Sequence, residues 1–156
     1  DLYNNLPGKS IWFPANKARI KDILKGDELE KHFGAQHLST KDLIFLIEKL
    51  LREKILNSIS LTKKAGYLAI GLDTIKTQLI DKKHCLIVVA KGAKSLKNYS
   101  FFSSDDISSF ENVLYQEDLE RSTGKNNVKY VGIFSKNFKK TIQVDLNKLK
   151  GFMETD

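Results

Sequence analysis

The chain has 156 residues, of which 41% are apolar and 29% are charged, and its formal net charge is +7. This composition is typical of a folded globular protein and argues against a disordered chain. Its longest apolar runs, such as CLIVVA, are too short for a membrane span, and no secretory leader is visible. We therefore expect a soluble cytoplasmic protein that contacts no membrane.

The chain starts at Asp1 and its only methionine is Met153, so we expect a fragment or a processed chain. Its single cysteine, Cys85, lies in an apolar run and is expected to be a buried, reduced thiol. The three histidines and this cysteine show no spacing typical of a zinc site. The sequence therefore predicts no metal and no cofactor.

The first 35 residues are predicted to form a small α+β unit. A Pro-Gly turn precedes a strand over Ile11 to Phe13, and Pro14 opens a helix that ends at Gly26. A second short helix, DELEKHF, ends at Gly34. The side chains of the first helix that we expect to face inward are Ala18, Ile20, Ile23 and Leu24.

This small unit also carries cations. Trp12 is expected to pack in its core rather than stack on a base, because an alternating strand buries one face. Arg19 falls on another side of the helix, but Lys17 and Lys21 lie four residues apart and share a face. Together with Lys9 they are predicted to form a rim that faces phosphates, the alternative being an ordinary solvated helix face.

The loop GAQHLST, residues 34–40, is the predicted domain boundary, and Ser39 or Thr40 is available to cap the next helix. From Lys41 the apolar residues recur at helical spacing to about Ser58, and a second helix is expected to continue to Lys64.

The rest of the chain alternates between strands and helices. The predicted strands are HCLIVVA, NVLYQ and VKYVGIF; the predicted helices are one containing Leu72, Ile75, Leu79 and Ile80, one over Ala93 to Tyr99, QEDLERSTG, and one over Phe138 to Leu149. Such apolar strands need a cover on both faces, which predicts a three-layer α/β/α sandwich. Gly124 and Lys125 lack the spacing of a phosphate-binding loop and are predicted to end a helix.

Positive charge is concentrated in residues 61–100, which hold eight lysines against two aspartates. Clustered lysines attract polyanions through counterion release, although surface lysines also keep proteins soluble. If they bind phosphates, we expect five of them to converge on one face; these are Lys63, Lys64, Lys76, Lys91 and Lys94.

The segment DLYNNLPGKSIWFPANKARIKDILK resembles the second half of the YlxR family of small bacterial proteins. The shared pattern is Leu-Pro-Gly-Arg-Gly, an apolar strand with an aromatic residue, and a basic helix. Lys9 stands in place of the family's arginine and Ser10 in place of its glycine. The resemblance identifies residues 1–35 as a partial YlxR-like domain.

Residues 41–152 resemble the YlxQ-type branch of the kink-turn-binding ribosomal-protein superfamily. The shared pattern is Ala-Gly, a glycine at a helix start, an apolar strand ending in alanine, and Leu-x-x-x-x-Gly-Lys before another strand. This resemblance implies RNA binding without catalysis. YlxR-like and YlxQ-like segments in one chain resemble fusion proteins of some bacteria.

The superfamily places its RNA contacts at the helix start, here Gly71 and the turn that follows. The resemblance implies that Gly71 lets the backbone approach RNA and that Asp73, Thr74 and Lys76 contact bases and phosphates. Kink-turn readers have Asn-Glu in place of Asp73 and Thr74 and lysine in place of Thr77. The acidic residues usual after the next strand are replaced by Lys91 and Gly92. On the alternative interpretation, Gly71 is a turn glycine and Lys76 a solvated helix residue.

Three functions follow. The leading hypothesis is a non-enzymatic RNA-binding protein whose partners are structured bacterial RNA, such as ribosomal or kink-turn-like RNA, and ribosomal or RNA-processing proteins. The second is a protein-interaction module on the same fold. The third is the substrate-binding part of an RNA-modifying enzyme whose catalytic domain lies outside this chain.

Overall fold

The structure is a computed structural model that describes residues 12–25, 39–82 and 84–153. These residues form a mixed α/β fold in which a four-stranded sheet is combined with five α-helices. The helices are α1 (Lys17–Lys25), α2 (Thr40–Lys64), α3 (Leu72–Asp81), α4 (Gln116–Thr123) and α5 (Lys136–Met153). The strands are β1 (Leu68–Ile70), β2 (Cys85–Val89), β3 (Ile107–Glu111) and β4 (Tyr130–Ile133).

Helix α1 confirms the predicted amino-terminal helix, with Asn16 as its cap. The Asn16 Oδ1 atom accepts hydrogen bonds from the backbone N–H groups of Ala18 at 2.9 Å and Arg19 at 3.3 Å. Ile20 is buried as predicted, but Ala18 is exposed. Capping by asparagine satisfies N–H groups that have no partner inside the helix.

The predicted strand before α1 is wrong where the structure describes it. Trp12 and Phe13 have no strand pairing, and the Trp12 side chain is 71% exposed rather than packed in a core. Pro14 follows directly and has no N–H to donate to a strand ladder, and its carbonyl instead closes a turn with Asn16 at 2.8 Å. Ile11 and the predicted helix DELEKHF lie outside the described residues.

Helix α2 is one continuous helix, so the predicted break near Ser58 is wrong. The Ser39 hydroxyl caps it as predicted, accepting from the Asp42 N–H at 3.1 Å. Serine and threonine hydroxyls inside a helix compete with helical hydrogen bonding, and α2 carries Ser58 and Thr62 in this stretch. Here the two hydroxyls donate to the carbonyls four residues earlier, at 3.0 Å and 2.7 Å, and the helix accommodates them.

The strand order in the sheet is β1-β4-β2-β3. Strand β4 runs antiparallel to both of its neighbours, whereas β2 and β3 are parallel. Strands β1, β2 and β3 therefore all point the same way. The predicted strands HCLIVVA and VKYVGIF are confirmed as β2 and β4.

The predicted strand NVLYQ is wrong, because β3 ends one residue before it. Asn112 adopts a left-handed conformation with φ 64°, which takes the chain out of the extended region. Val113 and Leu114 are nevertheless buried in the turn that leads to α4. The sequence showed their apolar character correctly, but burial in a turn and burial in a strand give the same short apolar pattern.

The predicted helix over residues 93–99 is replaced by two short 3₁₀ turns, Leu96–Asn98 and Ser100–Phe102. The Ser95 hydroxyl accepts from the Lys97 N–H at 3.3 Å and starts the first of them. The prediction for α4 is confirmed, and Gly124 ends it in a left-handed conformation with its N–H donating to the Glu120 carbonyl at 2.7 Å.

Strand β2 is buried along its whole length. Helix α3 packs on one face of the sheet. Its Ile75 side chain lies so close to Gly132 of β4 that a Cβ added to this glycine would be 2.9 Å from the Ile75 Cγ1 atom. The same face holds an apolar cluster that includes Ala69, Ile87, Leu96 and Phe102. The alternate residues Leu86 and Val88, on the other face, are fully buried as well. Helix α3 is therefore held at a fixed position against the sheet.

The chain divides into two compact units, one of residues Asp1–Glu53 with Asn147–Asp156 and one of residues Lys54–Leu146. The sheet, α3 and α4 belong to the second unit. The predicted boundary at 34–40 falls mostly outside the described residues and stays a prediction. No helix in the described part of the chain is long and apolar enough to cross a membrane.

Candidate nucleic-acid interface

The strand directions give the sheet two different ends. Strands β1, β2 and β3 finish at the end where β4 begins, and we call this the Gly71 end. At the opposite end, which we call the Tyr67 end, β1, β2 and β3 begin and β4 finishes. The loops at the Gly71 end and the beginning of α3 carry most of the predicted RNA-binding residues.

Gly71 lies immediately before α3, as predicted, and links this helix to β1, a strand that was not predicted from the sequence. Its N–H donates to the Tyr130 carbonyl at 2.9 Å, and its own carbonyl accepts from the Ile75 N–H at 3.1 Å. Its backbone has φ 87° and ψ 150°, a region that is essentially restricted to glycine. A Cβ built there would meet no atom within 4 Å, so the backbone faces open space. Asp73 and Thr74 are exposed in the following turn.

Two of the predicted lysines meet at one aromatic ring. The Lys76 Nζ atom lies 5.5 Å from the centroid of the Tyr99 ring, and the Lys94 Nζ atom lies 5.3 Å from the same centroid. Both distances are within the range of cation–π attraction. Lys76 comes from α3 and Lys94 from the loop after β2, so residues 18 positions apart in sequence are brought together by the fold.

A third predicted lysine lies in the same loop. The Lys91 Nζ atom is 5.1 Å from the centroid of the Tyr115 ring, and the Lys91 N–H donates to the Leu114 carbonyl at 2.8 Å. Between the lysines, Gly92 has φ 82° and faces open space. We call Lys76, Lys91, Lys94, Tyr99 and Tyr115 the lysine–tyrosine cluster.

Hydrogen bonds hold the backbone of this cluster. The Glu111 Oε1 atom, at the end of β3, accepts from the Ser95 hydroxyl at 3.1 Å and from the Leu96 N–H at 3.0 Å. The Tyr130 hydroxyl donates to the Lys94 carbonyl at 2.9 Å. The pKa of Tyr130 is raised, first by burial and then by the nearby Tyr99. The loop after β2 is thus fixed from two neighbouring strands.

The other predicted residues of this unit lie elsewhere. Lys63, in the last turn of α2, donates to the carbonyl of Thr123 at the end of α4. Lys64 is exposed at the end of α2. Helix α2 leads into β1 from the Tyr67 end, so the structure does not place Lys63 or Lys64 at the Tyr99 ring.

The amino-terminal cations are described only in part. Lys17 begins α1 and Lys21 follows one turn later, so the two share a helix face as predicted. Both side chains are half-buried. Lys9 lies outside the described residues, and the predicted rim that contains it stays a prediction.

The Tyr67 end also brings a lysine to aromatic rings. The Lys82 Nζ atom lies 5.9 Å from the Tyr67 centroid and 5.6 Å from the Phe134 centroid. Cys85 begins β2 at this end and is buried, as predicted, and burial raises the pKa of its thiol to about 12. The thiol is therefore protonated and unreactive at neutral pH.

Sequence reasoning missed both tyrosines of the cluster and Lys129, which is exposed immediately before β4 at the Gly71 end. Tyr99 follows the lysine-rich segment KGAKSLK, which is a weak signal in the sequence. Tyr115 follows the apolar pair Val113 and Leu114, and no sequence signal indicated it. Ammonium groups attract phosphates, and exposed aromatic rings stack on bases. The arrangement therefore offers both kinds of contact that a nucleic acid uses.

No match for this chain was found among protein-family models, curated proteins or solved structures.

Proposed function

We propose that this chain is a non-enzymatic RNA-binding protein that acts on structured bacterial RNA in the cytoplasm, in ribosome biogenesis, translation or RNA processing. Residues 1–35 would form a partial YlxR-like unit and residues 41–152 a YlxQ-like domain. Its partners would be structured RNA, such as ribosomal or kink-turn-like RNA, together with ribosomal or RNA-processing proteins.

The finer part of the proposal is that residues 41–152 form a three-layer α/β/α sandwich of the kink-turn-binding type. Two observations support it. Helix α3 covers one face of the sheet, and the fully buried side chains of β2 on the other face require a second cover. Helices α2 and α5 are joined by an ion pair between Lys54 and the buried Asp145 at 3.1 Å, which makes them the candidates for that cover.

The observation that carries the proposal is the pair of ammonium groups at the Tyr99 ring. Two like charges brought to one ring repel each other, and an anion between or beside them relieves the repulsion. The backbone at Gly71 and Gly92 faces open space, so it does not obstruct a ligand at this end of the sheet. RNA satisfies both conditions, because it supplies a row of phosphates together with bases that can stack.

The test is a comparison of two charge-matched double variants of the full chain, Lys76→Ala/Lys94→Ala and Lys136→Ala/Lys140→Ala. The second pair is exposed on α5. Binding of each to total bacterial RNA and to a kink-turn RNA is measured over a series of salt concentrations. We expect the first variant to lose about tenfold in affinity and to show a smaller salt dependence, with a log–log slope reduced by about 0.7 to 0.9 per lost phosphate contact.

The α5 variant should retain nearly the wild-type affinity. Equal losses in the two variants would mean that RNA responds only to net charge. No RNA binding by the wild-type chain at low salt would reject the proposal and favour the protein-interaction alternative.

A further inference from the structure

The loop after β2 places two lysines against tyrosines from two different segments. It turns tightly, with the Ala93 N–H donating to the Ala90 carbonyl at 3.0 Å. Lys91 and Lys94 lie on either side of this turn, one against Tyr115 and the other against Tyr99. Gly92, between the lysines, faces open space. The loop therefore separates two cation–aromatic pairs by a short stretch of exposed backbone.

We propose that the lysine–tyrosine cluster binds an unpaired stretch of RNA, with bases stacked on Tyr99 and Tyr115 and the flanking phosphates bound by Lys76, Lys91 and Lys94. This inference rests on the proposed RNA-binding function and names the part of the RNA that the site takes. Aromatic rings interleaved with cations are the usual means by which proteins hold single strands.

An unpaired strand fits this surface better than a duplex for a geometric reason. The faces of paired bases are covered by their neighbours in the helix, so an aromatic side chain stacks only on bases that are not stacked already. Tyr115 is 44% exposed, so part of its side chain is open to solvent. A duplex would contact the ammonium groups and leave both rings unused.

The energies favour an exchange in which a base takes the place of the ammonium group on the ring. An exposed cation–π contact is worth about a factor of three in an equilibrium constant. Stacking of a base on an aromatic side chain is worth about ten- to a hundredfold. A displaced ammonium group stays within reach of the phosphate of the same nucleotide, so its interaction is transferred rather than lost.

The Tyr99 ring is held in place before RNA arrives. It packs edge to face against Phe102, with centroids 6.1 Å apart, and belongs to the margin of the buried apolar cluster. Glu111 fixes the intervening turn through its bonds to Ser95 and Leu96. A fixed ring loses little conformational freedom when a base stacks on it, which increases affinity.

The experiment measures binding of the full chain to a labelled single-stranded RNA of about ten nucleotides, within the size range of such sites, and to a blunt duplex of the same length. Tyr99→Leu and Tyr115→Leu remove the rings and keep every charge. The matched control is Tyr67→Leu, because Tyr67 is also 44% exposed and also has a lysine against its ring. Tyr99→Phe keeps the ring, and thermal unfolding of each variant shows whether it is folded.

We expect each cluster variant to lose about tenfold in affinity for the single strand with an unchanged salt slope, because stacking carries no net charge. The affinity of the two cluster variants for the duplex should stay near the wild-type value. Tyr67→Leu and Tyr99→Phe should bind the single strand with nearly the wild-type affinity. If RNA binds but duplex and single strand bind equally, and the leucine variants behave like Tyr67→Leu, the inference is overturned while the proposed function stands. If polyglutamate competes as well as RNA, the cluster is a general polyanion surface, and if no RNA binds, both proposals are rejected.

Discussion

Both ends of the sheet bring lysine ammonium groups to aromatic rings, but in opposite proportions. At the Gly71 end two ammonium groups, those of Lys76 and Lys94, share the single ring of Tyr99. At the Tyr67 end the single ammonium group of Lys82 is shared by two rings. A lysine over a ring is therefore not a sign of a binding site by itself. What distinguishes the Gly71 end is that two ammonium groups meet at one ring, and an anionic ligand there would reduce the repulsion between them.

The glycines on either side of β1 also show that one feature alone does not indicate a binding site. Gly66 precedes β1 at the Tyr67 end with φ 77°, and Gly71 follows β1 with φ 87°. Both face open space. Both positions thus require glycine for backbone reasons alone, and the glycine acquires a functional meaning only from the charged groups around it. Each prediction below changes one end and uses the other as its control.

The largest effect is expected from Gly71→Val compared with Gly66→Val. A β-branched residue at positive φ is strained, and each substitution should lower the free energy of unfolding by about 1–3 kcal/mol. Only Gly71→Val should also reduce RNA affinity, by tenfold or more, because a side chain would occupy the open space beside the cluster. Denaturant unfolding gives the first quantity and fluorescence anisotropy the second, after correction for the folded fraction.

The prediction for this pair fails if both valine variants bind RNA equally well. In that event Gly71 would be a turn glycine like Gly66, and the approach of RNA to the start of α3 would have no support.

The next effect concerns Glu111, whose carboxylate holds the loop after β2. Glu111→Ala removes two hydrogen bonds to a charged group and should cost about 1.5–3 kcal/mol of stability. It also removes a negative charge near the cluster, which on electrostatics alone would increase RNA affinity. We expect RNA affinity to fall instead, because the position of Lys94 and of the following turn depends on Glu111.

Glu111→Gln separates the two contributions, since the amide oxygen can still accept from Ser95 and Leu96 while the charge is gone. Its RNA affinity should equal or exceed that of the wild type. A rise in affinity for both variants would mean that Glu111 acts through charge and not by positioning the loop.

A third effect, smaller for each step of one pH unit, is expected at the Tyr67 end when the pH is raised. Burial raises the pKa of Cys85 from 9.0 to about 12 in the folded chain. The unfolded chain therefore loses this proton first as the pH rises. The contribution of the protonated thiol to the free energy of unfolding is fully present below pH 9 and is lost between pH 9 and 12, by at most about 1.4 kcal/mol per pH unit. The free energy of unfolding of Cys85→Ala, measured over the same range, should fall less steeply. Parallel curves for the two proteins would contradict a buried, protonated thiol.

The sequence predicted the elements whose pattern is local. Strand β2 is a continuous apolar run, α3 and α4 show helical periodicity, and Gly124 ends α4 as a glycine in the left-handed conformation should. Prediction from the sequence failed where the burial of a residue does not follow from its apolar character and its expected secondary structure. Val113 and Leu114 are buried in a turn, and Trp12 is exposed although aromatic residues are mostly buried.

The candidate site could be predicted only in part for a similar reason. The charge excess and Gly71 are visible in the sequence, and they indicated Lys76, Lys91 and Lys94. That Lys76 and Lys94 meet at Tyr99 depends on the order of the strands and on the position of α3 over β4, which no local pattern contains. Lys63 shows the converse, since it belongs to the same charged stretch but contacts the end of α4.

The smallest effect is expected from the two aspartates of α3, which lie at opposite ends of the helix. Asp73 is exposed in its first turn at the Gly71 end, and Asp81 is its last residue. A carboxylate beside the cluster repels phosphates, so Asp73→Asn should raise affinity for a kink-turn RNA and for an unpaired RNA of equal length by the same factor, about twofold in screened solution. Asp81→Asn makes the same change of charge and should leave both affinities unchanged. If Asp73→Asn instead changes the preference between the two RNAs, the carboxylate accepts hydrogen bonds from a base, such as a cytosine amine, and the Gly71 end reads sequence rather than holding any unpaired strand.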